Sequence, residues 1–322
     1  MSINLSSFLQ SRFNIYICRL LGWRIAFAYV TFLGKLYFFF NPKEKSKIKA
    51  AIQSVFSERK HPGEIGSIIV EVFRGIIIHY YEKFFNAFTA SEQLRAFTET
   101  HIECEGMAAL DEGLAKGKGV LLITGHFGGV ELIPAFLGSR NYPATIVAKF
   151  KTNRLRKESL KQAEGLSVKI IDADRTPNVL KSICDHLKQN RIVITQCDEI
   201  DEWKPSQHHQ TFFLGKSVGL DRTLSILSKR CAATVVFGVM HRGFHNGYKF
   251  IATSWEDMAK RHQMSLEMPV GAVILKFMEQ YIYNYPQEWY QWKKYSTLDR
   301  FAPSGMNVEA PRAIPLLEPS LV

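Results

Sequence analysis

The sequence is poor in cysteine, and its five cysteines are scattered along 322 residues. None of them forms a CxxC pair, and none has the spacing of a zinc site. An odd number of scattered thiols also argues against a disulfide framework. We therefore predict a protein that faces the cytosol with reduced thiols and holds no metal.

Acidic residues are also in deficit, with 30 Asp and Glu against 41 Lys and Arg, so that the formal net charge is +11. Such a balance favours acidic partners, which include nucleic acid, anionic lipid headgroups and acidic carrier proteins. The chain has no helix-turn-helix, zinc-finger or aromatic RNA-binding motif. Nucleic acid is therefore not an expected partner.

No uncharged apolar run is long enough to span a bilayer by itself. Residues 13–40 are strongly apolar and aromatic, but basic residues interrupt them, and the longest uncharged run covers only residues 25–34. This pattern favours a helix that lies on a membrane surface, while a marginal spanning helix and an ordinary pair of core helices remain open. A signal peptide is not expected, because no cleavage site of small residues follows.

From about residue 100, short apolar strands alternate with helices, which predicts an α/β fold with a largely parallel sheet flanked by helices. We expect helices at 176–190, with Thr176 as N-cap and Pro177 at the first position, and at 218–230. The predicted organisation has three parts: a hydrophobic and amphipathic helical region for membrane association (1–95), an α/β domain (96–300) and a loose tail (301–322).

The stretch LLITGHFGGVELIP, residues 121–134, joins a predicted strand to a predicted helix through a glycine-rich loop. Ligands of open α/β sheets bind at the carboxyl ends of strands, where His126 lies. On one helix, His126 and Glu131 would point roughly 140° apart, so they meet only if His126 belongs to the entering loop. Gly128 and Gly129 permit that bend, and we expect their N–H groups to approach a ligand closely.

A carboxylate beside a histidine suits acid–base chemistry, because it fixes the imidazole tautomer while the other ring nitrogen takes a proton from a hydroxyl. The serine of a catalytic triad is missing, so that hydroxyl would belong to a substrate. By itself, however, the spacing of His126 and Glu131 also suits an ordinary loop histidine and a solvated glutamate.

Four further segments follow HFGGVE (126–131) in an informative order. They are VAKFKTN with Lys149 and Asn153, QCDEIDE with Asp198, TFFLGKSVG with Phe213 and Gly215, and PQEWYQWKKY (286–295). Together they resemble the bacterial lipid A late acyltransferases, the lauroyl- and myristoyltransferase-like branch of the lysophospholipid acyltransferase superfamily. The similarity covers roughly residues 15–298. The chain departs from the family pattern in having Gly129 and Val130 where Asn and Trp are usual, Lys149 where Arg is usual, and Arg156 where an acidic residue is usual.

The resemblance implies transfer of a fatty acyl group from a thioester to a hydroxyl of a glycolipid or lysolipid, without a cofactor. His126 would be the general base and Glu131 would orient it. The substrate-binding residues that we expect are Gly128, Gly129, Lys149, Asn153, Arg154, Asp198, Phe213 and Gly215. The acyl donor would be acyl carrier protein (ACP) carrying the acyl chain, or acyl-CoA, and the protein would lie on the cytoplasmic face of a bacterial inner membrane, peripherally or by a single anchor.

Two alternatives stay open: an acyltransferase of a different glycolipid or secondary-metabolite pathway, and an inactive lipid-binding homologue. Residues 149–161 carry six basic side chains against one acidic side chain. We expect this basic segment to attract an acidic carrier protein or a phosphorylated headgroup, although it also suits a solvated helix face.

Overall fold

The computed structural model describes residues 12–243, 247–261 and 268–301 of the chain. Four helices come first: α1 (Arg12–Phe40), α2 (Pro42–Phe56), α3 (Pro62–Phe88) and α4 (Ser91–His101). No helix among these described residues is both long enough and apolar enough to cross a membrane. The tail predicted at 301–322 lies, except for its first residue, outside the described residues.

Strands and helices then alternate as the sequence predicts. The strands are β1 (Ile102–Glu105), β2 (Val120–Thr124), β3 (Ala144–Ala148), β4 (Lys169–Asp172), β5 (Ile192–Gln196), β6 (Pro205–Phe213), β7 (Lys216–Asp221), β8 (Thr234–Arg242) and β9 (Tyr248–Ser254). The helices between and after them are α5 (Ala108–Ala115), α6 (Ile133–Ser139), α7 (Asn153–Gly165), α8 (Val179–Lys188), α9 (Arg222–Cys231), α10 (Trp255–Arg261) and α11 (Val270–Asn284). Short 3₁₀ helices lie at Val130–Leu132, Ile200–Glu202 and Pro286–Glu288, and a longer one lies at Tyr290–Phe301.

Seven strands form the main sheet in the order β1-β9-β8-β2-β5-β3-β4. All neighbouring pairs are parallel except β8 and β9, which confirms the predicted mixed α/β fold with a mostly parallel sheet. All five residues of β2 are buried, as expected for a central strand that is covered on both faces. Because β2 and β5 are parallel neighbours, the loops that leave their carboxyl ends lie side by side.

Alternate side chains of the sheet enter two separate cores. Leu121 and Ile123 pack in a core with side chains of α1, α2, α3 and α11, whereas Val120 and Leu122 pack with side chains of α4, α5 and α6. The N-terminal helices thus cover one face of the sheet. The predicted division of the chain near residue 95 stays a prediction.

Two predicted helix starts are wrong. The N–H of Thr176 bonds the carbonyl of Asp172 in a turn, so helix α8 begins later, with the side chain of Asn178 as its N-cap. The helix predicted from residue 218 begins only at Arg222, because residues 216–221 pair with β6 in an antiparallel two-stranded sheet. Sequence periodicity did not reveal this hairpin, whose short turn has positive φ values at Leu214 and Gly215.

Candidate active site

His126 lies directly beyond β2, and Asp198, which follows β5, holds both its backbone and its ring. The backbone N–H of His126 lies 3.0 Å from each carboxylate oxygen of Asp198, and His126 Nδ1 lies 2.8 Å from Asp198 Oδ1. Asp198 is fully buried and also accepts a hydrogen bond of 2.7 Å from the Trp289 indole. The imidazole is therefore fixed with a proton on Nδ1 and with Nε2 turned away from Asp198.

The other ring nitrogen of His126 faces a second carboxylate. His126 Nε2 lies 3.2 Å from Glu199 Oε2, and Glu199 is held in turn by Lys294 at 2.9 Å. Burial alone would lower the pKa of His126, but the charge and hydrogen bond of Asp198, with a smaller contribution from Glu199, raise it to about 9. Burial would likewise raise the pKa of Glu199, but the hydrogen bond and charge of His126 and the charge of Lys294 lower it to about 2. At neutral pH the resting site is therefore an imidazolium held between two carboxylates.

Glu131 has other partners than the sequence predicts. It lies in the 3₁₀ helix after the glycine-rich loop, 2.9 Å from Lys83 Nζ and 3.8 Å from His79 Nε2. The His79 ring stacks on Tyr290 at 3.5 Å, and Tyr290 meets the His126 ring edge-on at 4.9 Å. Two aromatic rings thus join Glu131 to His126, and the carboxylate that contacts Nδ1 is Asp198 instead.

Gly128 and Gly129 allow the loop to pack closely against neighbouring backbone. The N–H of Gly128 donates to the Glu288 carbonyl and that of Gly129 to the Met240 carbonyl, so neither is open to a ligand as we expected. Gly128 has a φ of +56°, and a Cβ there would lie 1.9 Å from the Met240 carbonyl oxygen. Only glycine combines this backbone conformation with this approach.

A buried ion pair braces the same loop from the N-terminal helices. Arg242 donates two hydrogen bonds to Glu82 of α3, at 2.8 and 2.7 Å, and a third to the Gly128 carbonyl at 3.0 Å. The Tyr248 hydroxyl donates to Glu82 as well. Glu82 is 1% exposed, so the pair is shielded from water and connects α3 directly to the loop of His126.

Two other predicted substrate-binding residues contact segments that neighbour this centre along the chain or in space. Phe213 is buried and packs edge-on against the Trp289 ring that bonds Asp198, which makes it a support behind the site. Lys149 is exposed and pairs with Glu202, in the 3₁₀ helix that follows Glu199. The acidic loop after β5 is thus paired with lysines in the described structure.

The remaining predicted substrate-binding residues lie at the start of α7 and in the β6–β7 turn. Asn153 is the first residue of α7, just after the N-cap Thr152. The guanidinium of Arg154 lies 5.8 Å from the centre of the Phe88 ring on α3. Gly215 occupies the β6–β7 turn, where its φ of +81° explains why glycine suits the position. The substrate-binding roles of these residues stay predictions.

Sequence reasoning missed several residues that surround His126: Lys83, His79, Glu199, Trp289 and Tyr290. Glu199 had a usable signal, since it follows the family-like Asp198, and Trp289 and Tyr290 lie in the family-like segment PQEWYQWKKY. Lys83 and His79 come from α3, and no sequence pattern predicts that this helix packs over the end of β2.

Comparison with known proteins identifies a family that covers most of the chain. The sequence model of the family described as bacterial lipid A biosynthesis acyltransferase matches residues 11–294. The match includes every residue placed above at or around His126. No curated protein sequence matches the chain.

Proposed function

We propose that the chain transfers a fatty acyl group to a lipid hydroxyl, because it belongs to the bacterial lipid A biosynthesis acyltransferase family and is therefore an acyltransferase. The donor in this proposal is an acyl thioester on ACP or CoA. The acceptor is a glycolipid or lysolipid, of the kind that the late acyltransferases of the family would use.

One observation carries the proposal: a histidine at the carboxyl end of the central strand, with Nδ1 fixed by a buried carboxylate and Nε2 directed to a partly exposed group. Asp198 is 0% exposed, whereas the side chain of Glu199 is 38% exposed. A substrate hydroxyl that takes the place of Glu199 would meet Nε2 at hydrogen-bonding distance. This is the arrangement that general-base catalysis needs.

This geometry supports the following reaction. Neutral His126 takes the proton of the acceptor hydroxyl at Nε2 while the hydroxyl oxygen attacks the thioester carbonyl carbon. Asp198 stabilises the imidazolium that forms. The tetrahedral intermediate then collapses, the carbon–sulfur bond breaks, and the departing thiolate takes the proton back from Nε2, which restores His126 and leaves an ester and a thiol.

We assign the orienting role to Asp198, since it touches Nδ1, and a supporting role to Glu131. Glu131 holds Lys83 and contacts His79, whose ring supports Tyr290 against His126. Loss of Glu131 would therefore act on the base through two rings rather than through a direct hydrogen bond.

Only part of the predicted basic segment supports an acidic carrier protein as the donor partner. Arg156 is paired with Asp172, and Lys149 with Glu202, so these charges are partly neutralised within the protein. Lys157 and Lys161 on α7 are exposed. These two lysines are the better candidates for steering ACP.

Association with the cytoplasmic face of the inner membrane is supported by exposed apolar side chains on α1. Phe32 is 61%, Phe39 75% and Phe40 69% exposed. Aromatic side chains on a surface helix are typical of the membrane interface. In vesicle flotation, replacing these three by Ser should shift the protein from the floating to the soluble fraction, and unchanged flotation would contradict a membrane role for this face.

The activity is tested with purified protein, acyl-ACP and a panel of phosphorylated and neutral glycolipids and lysolipids. Replacing His126 by Ala should lower the transfer rate by about 10²–10⁴-fold. The exposed His101 provides a matched control, since His101→Ala should leave the rate unchanged. Equal rates for wild-type protein and His126→Ala on every acceptor would refute the proposal and favour an inactive lipid-binding homologue.

A further inference from the structure

The ring nitrogen that would take the proton of the acceptor is covered by a side chain. Oε2 of Glu199 lies 3.2 Å from His126 Nε2, and the His126 side chain is 9% exposed. Asp198 occupies the other ring nitrogen at 2.8 Å, and Tyr290 packs edge-on against the ring. Because each ring nitrogen makes one hydrogen bond in the plane of the ring, a hydroxyl reaches Nε2 only after Glu199 has moved.

The two carboxylates beside the ring are held in different ways. Asp198 is 0% exposed and accepts hydrogen bonds from the His126 backbone N–H and the Trp289 indole as well as contacting the ring. Glu199 is 38% exposed and is held at one oxygen by His126 and at the other by Lys294 Nζ. Asp198 is thus a fixed part of the site, whereas the Glu199 side chain can move aside by rotating about its own single bonds.

Lys294 gives Glu199 a charged partner that remains when Glu199 leaves His126. The ammonium group of Lys294 also contacts Asp201 at 2.8 Å, so its position does not depend on His126. Glu199 uses Oε1 for Lys294 and Oε2 for His126, and it can therefore withdraw Oε2 while it keeps the lysine. The displaced carboxylate would stay paired, which lowers the cost of uncovering Nε2.

A histidine that is covered in this way cannot activate water. The imidazolium between two carboxylates has a proton on each ring nitrogen, so it has no lone pair for another proton. Without Glu199, a neutral Nε2 would face solvent beside the thioester. It would take a proton from water while the water oxygen attacked the carbonyl carbon, the carbon–sulfur bond would break, and the thiolate would take the proton back, which leaves a fatty acid and a thiol. Hydrolysis and acyl transfer thus differ in which hydroxyl reaches Nε2.

We propose that Glu199 is a specificity-determining residue, which covers His126 Nε2 until a lipid hydroxyl displaces it and so prevents transfer of the acyl group to water. The proposal rests on the function proposed above and adds the choice between lipid and water as acceptor. A lipid contacts the protein along the rest of its length, and this binding energy supports the displacement of Glu199, whereas water has no further contacts. When Glu199 moves, the imidazolium loses a stabilising charge and releases its Nε2 proton to solvent. Neutral His126 then meets the acceptor hydroxyl.

The test compares hydrolysis with acyl transfer in the full-length protein. Lauroyl-ACP is incubated near neutral pH without any acceptor, and the free lauric acid is measured by mass spectrometry. Transfer is measured on the acceptor of the lipid panel that gives the highest wild-type rate. The variant Glu199→Ala removes both the cover and its charge, and the matched control Glu112→Ala removes an exposed glutamate from α5.

We expect Glu199→Ala to raise hydrolysis roughly 10- to 50-fold, the gain in neutral imidazole near neutral pH when the pKa of His126 falls by roughly 1–2 units from about 9. Transfer at saturating acceptor should rise much less, because the acceptor already displaces Glu199 in the wild-type enzyme. The KM for the acceptor should fall, since binding no longer has to displace a carboxylate. Glu112→Ala should change hydrolysis by less than about threefold, as expected for an exposed charge. Combining His126→Ala with Glu199→Ala should remove the added hydrolysis.

Three results would overturn the inference: no more hydrolysis in Glu199→Ala than in Glu112→Ala, equal increases in hydrolysis and transfer, or added hydrolysis that persists without His126. Glu199→Ser uncovers Nε2 in the same way and provides a second variant, and thermal melting checks that the variants fold. Wild-type transfer with unchanged hydrolysis in Glu199→Ala would refute this inference alone. Absence of wild-type transfer to every acceptor would instead refute the proposed function, whatever the rates of hydrolysis.

Discussion

Replacing Glu199 by Gln should turn His126 from a mostly protonated group into a mostly neutral one near pH 8. The substitution keeps the shape of the side chain and removes its negative charge, 3.2 Å from His126 Nε2. Asp198 keeps its contact with Nδ1, so the ring should stay in place. Lys294 keeps Asp201 as a partner, which limits the disturbance to the surrounding charges.

The expected size follows from the pKa of about 9 for His126, against an ordinary value of 6.5. An opposite charge at this distance commonly shifts a pKa by about 1–3 units. Asp198 contributes more than Glu199 to the raised pKa, and Glu199 is partly solvated, so we expect its loss to lower the pKa by roughly 1–2 units. The pKa of His126 in Glu199→Gln should then lie between roughly 7 and 8.

A rise in pH should affect activity and stability in opposite directions. General-base catalysis needs neutral His126, so kcat/KM of the wild-type enzyme should rise with pH up to about 9, and this rise should move to lower pH in Glu199→Gln. The stability that the charged histidine contributes is fully present below pH 6.5, its unfolded pKa, and is lost as the pH rises through about 9.

Nuclear magnetic resonance of protein labelled at histidine Cε1 measures the pKa without any need for a substrate. The signal of His126 is identified by its absence from the spectrum of His126→Gln. A titration midpoint that stays near 9 or moves upward in Glu199→Gln would refute the reasoning, since it would show that Glu199 does not stabilise the imidazolium.

Three further predictions concern the residues that hold the site. In rate assays, Asp198→Asn should lower the transfer rate by about 10²–10⁴-fold, and Glu131→Gln should lower it by less than about tenfold. A larger loss in Glu131→Gln than in Asp198→Asn would instead assign the orienting role to Glu131. Glu82→Gln should lower the free energy of unfolding by about 3–5 kcal/mol, because it leaves Arg242 charged and buried. The control Glu71→Gln, at an exposed ion pair on the same helix, should lower it by less than about 1 kcal/mol. Gly128→Ala should lower the melting temperature more than Gly215→Ala, because both glycines have positive φ but only Gly128 lies close to a carbonyl. Equal melting temperatures of the two variants would contradict the packing argument.

Local sequence patterns were sufficient for most strands of the main sheet and most helices of the α/β region, but not for β1 or the β6–β7 hairpin. The run GVLLIT is apolar throughout because β2 is covered on both faces, and its length and flanking glycines mark it as a strand. The position of His126 at its carboxyl end followed from the same pattern. The β6–β7 hairpin was missed because its turn residues, Leu214 and Gly215, interrupt no clear alternation of polar and apolar side chains.

The partners of His126 could not be predicted because they depend on strand order. Asp198 reaches His126 only since β5 lies beside β2, although β3 and β4 separate these strands along the chain. The family resemblance pointed to Glu131, five residues away, and the geometry instead supplied a carboxylate 72 residues away. Tyr290 and Lys83 likewise come from segments whose packing no local pattern specifies.

The loop of His126 is held from both ends of the chain, and this has a consequence for biosynthesis. Arg242 connects it to Glu82, while the Gly128 N–H and the His126 carbonyl bond residues 288 and 290. Domains fold as the chain emerges from the ribosome, N-terminal parts first. His126 therefore acquires its final setting only after nearly the whole chain has been made, so that a prematurely terminated product would already have the apolar N-terminal helices but not the contacts that hold His126.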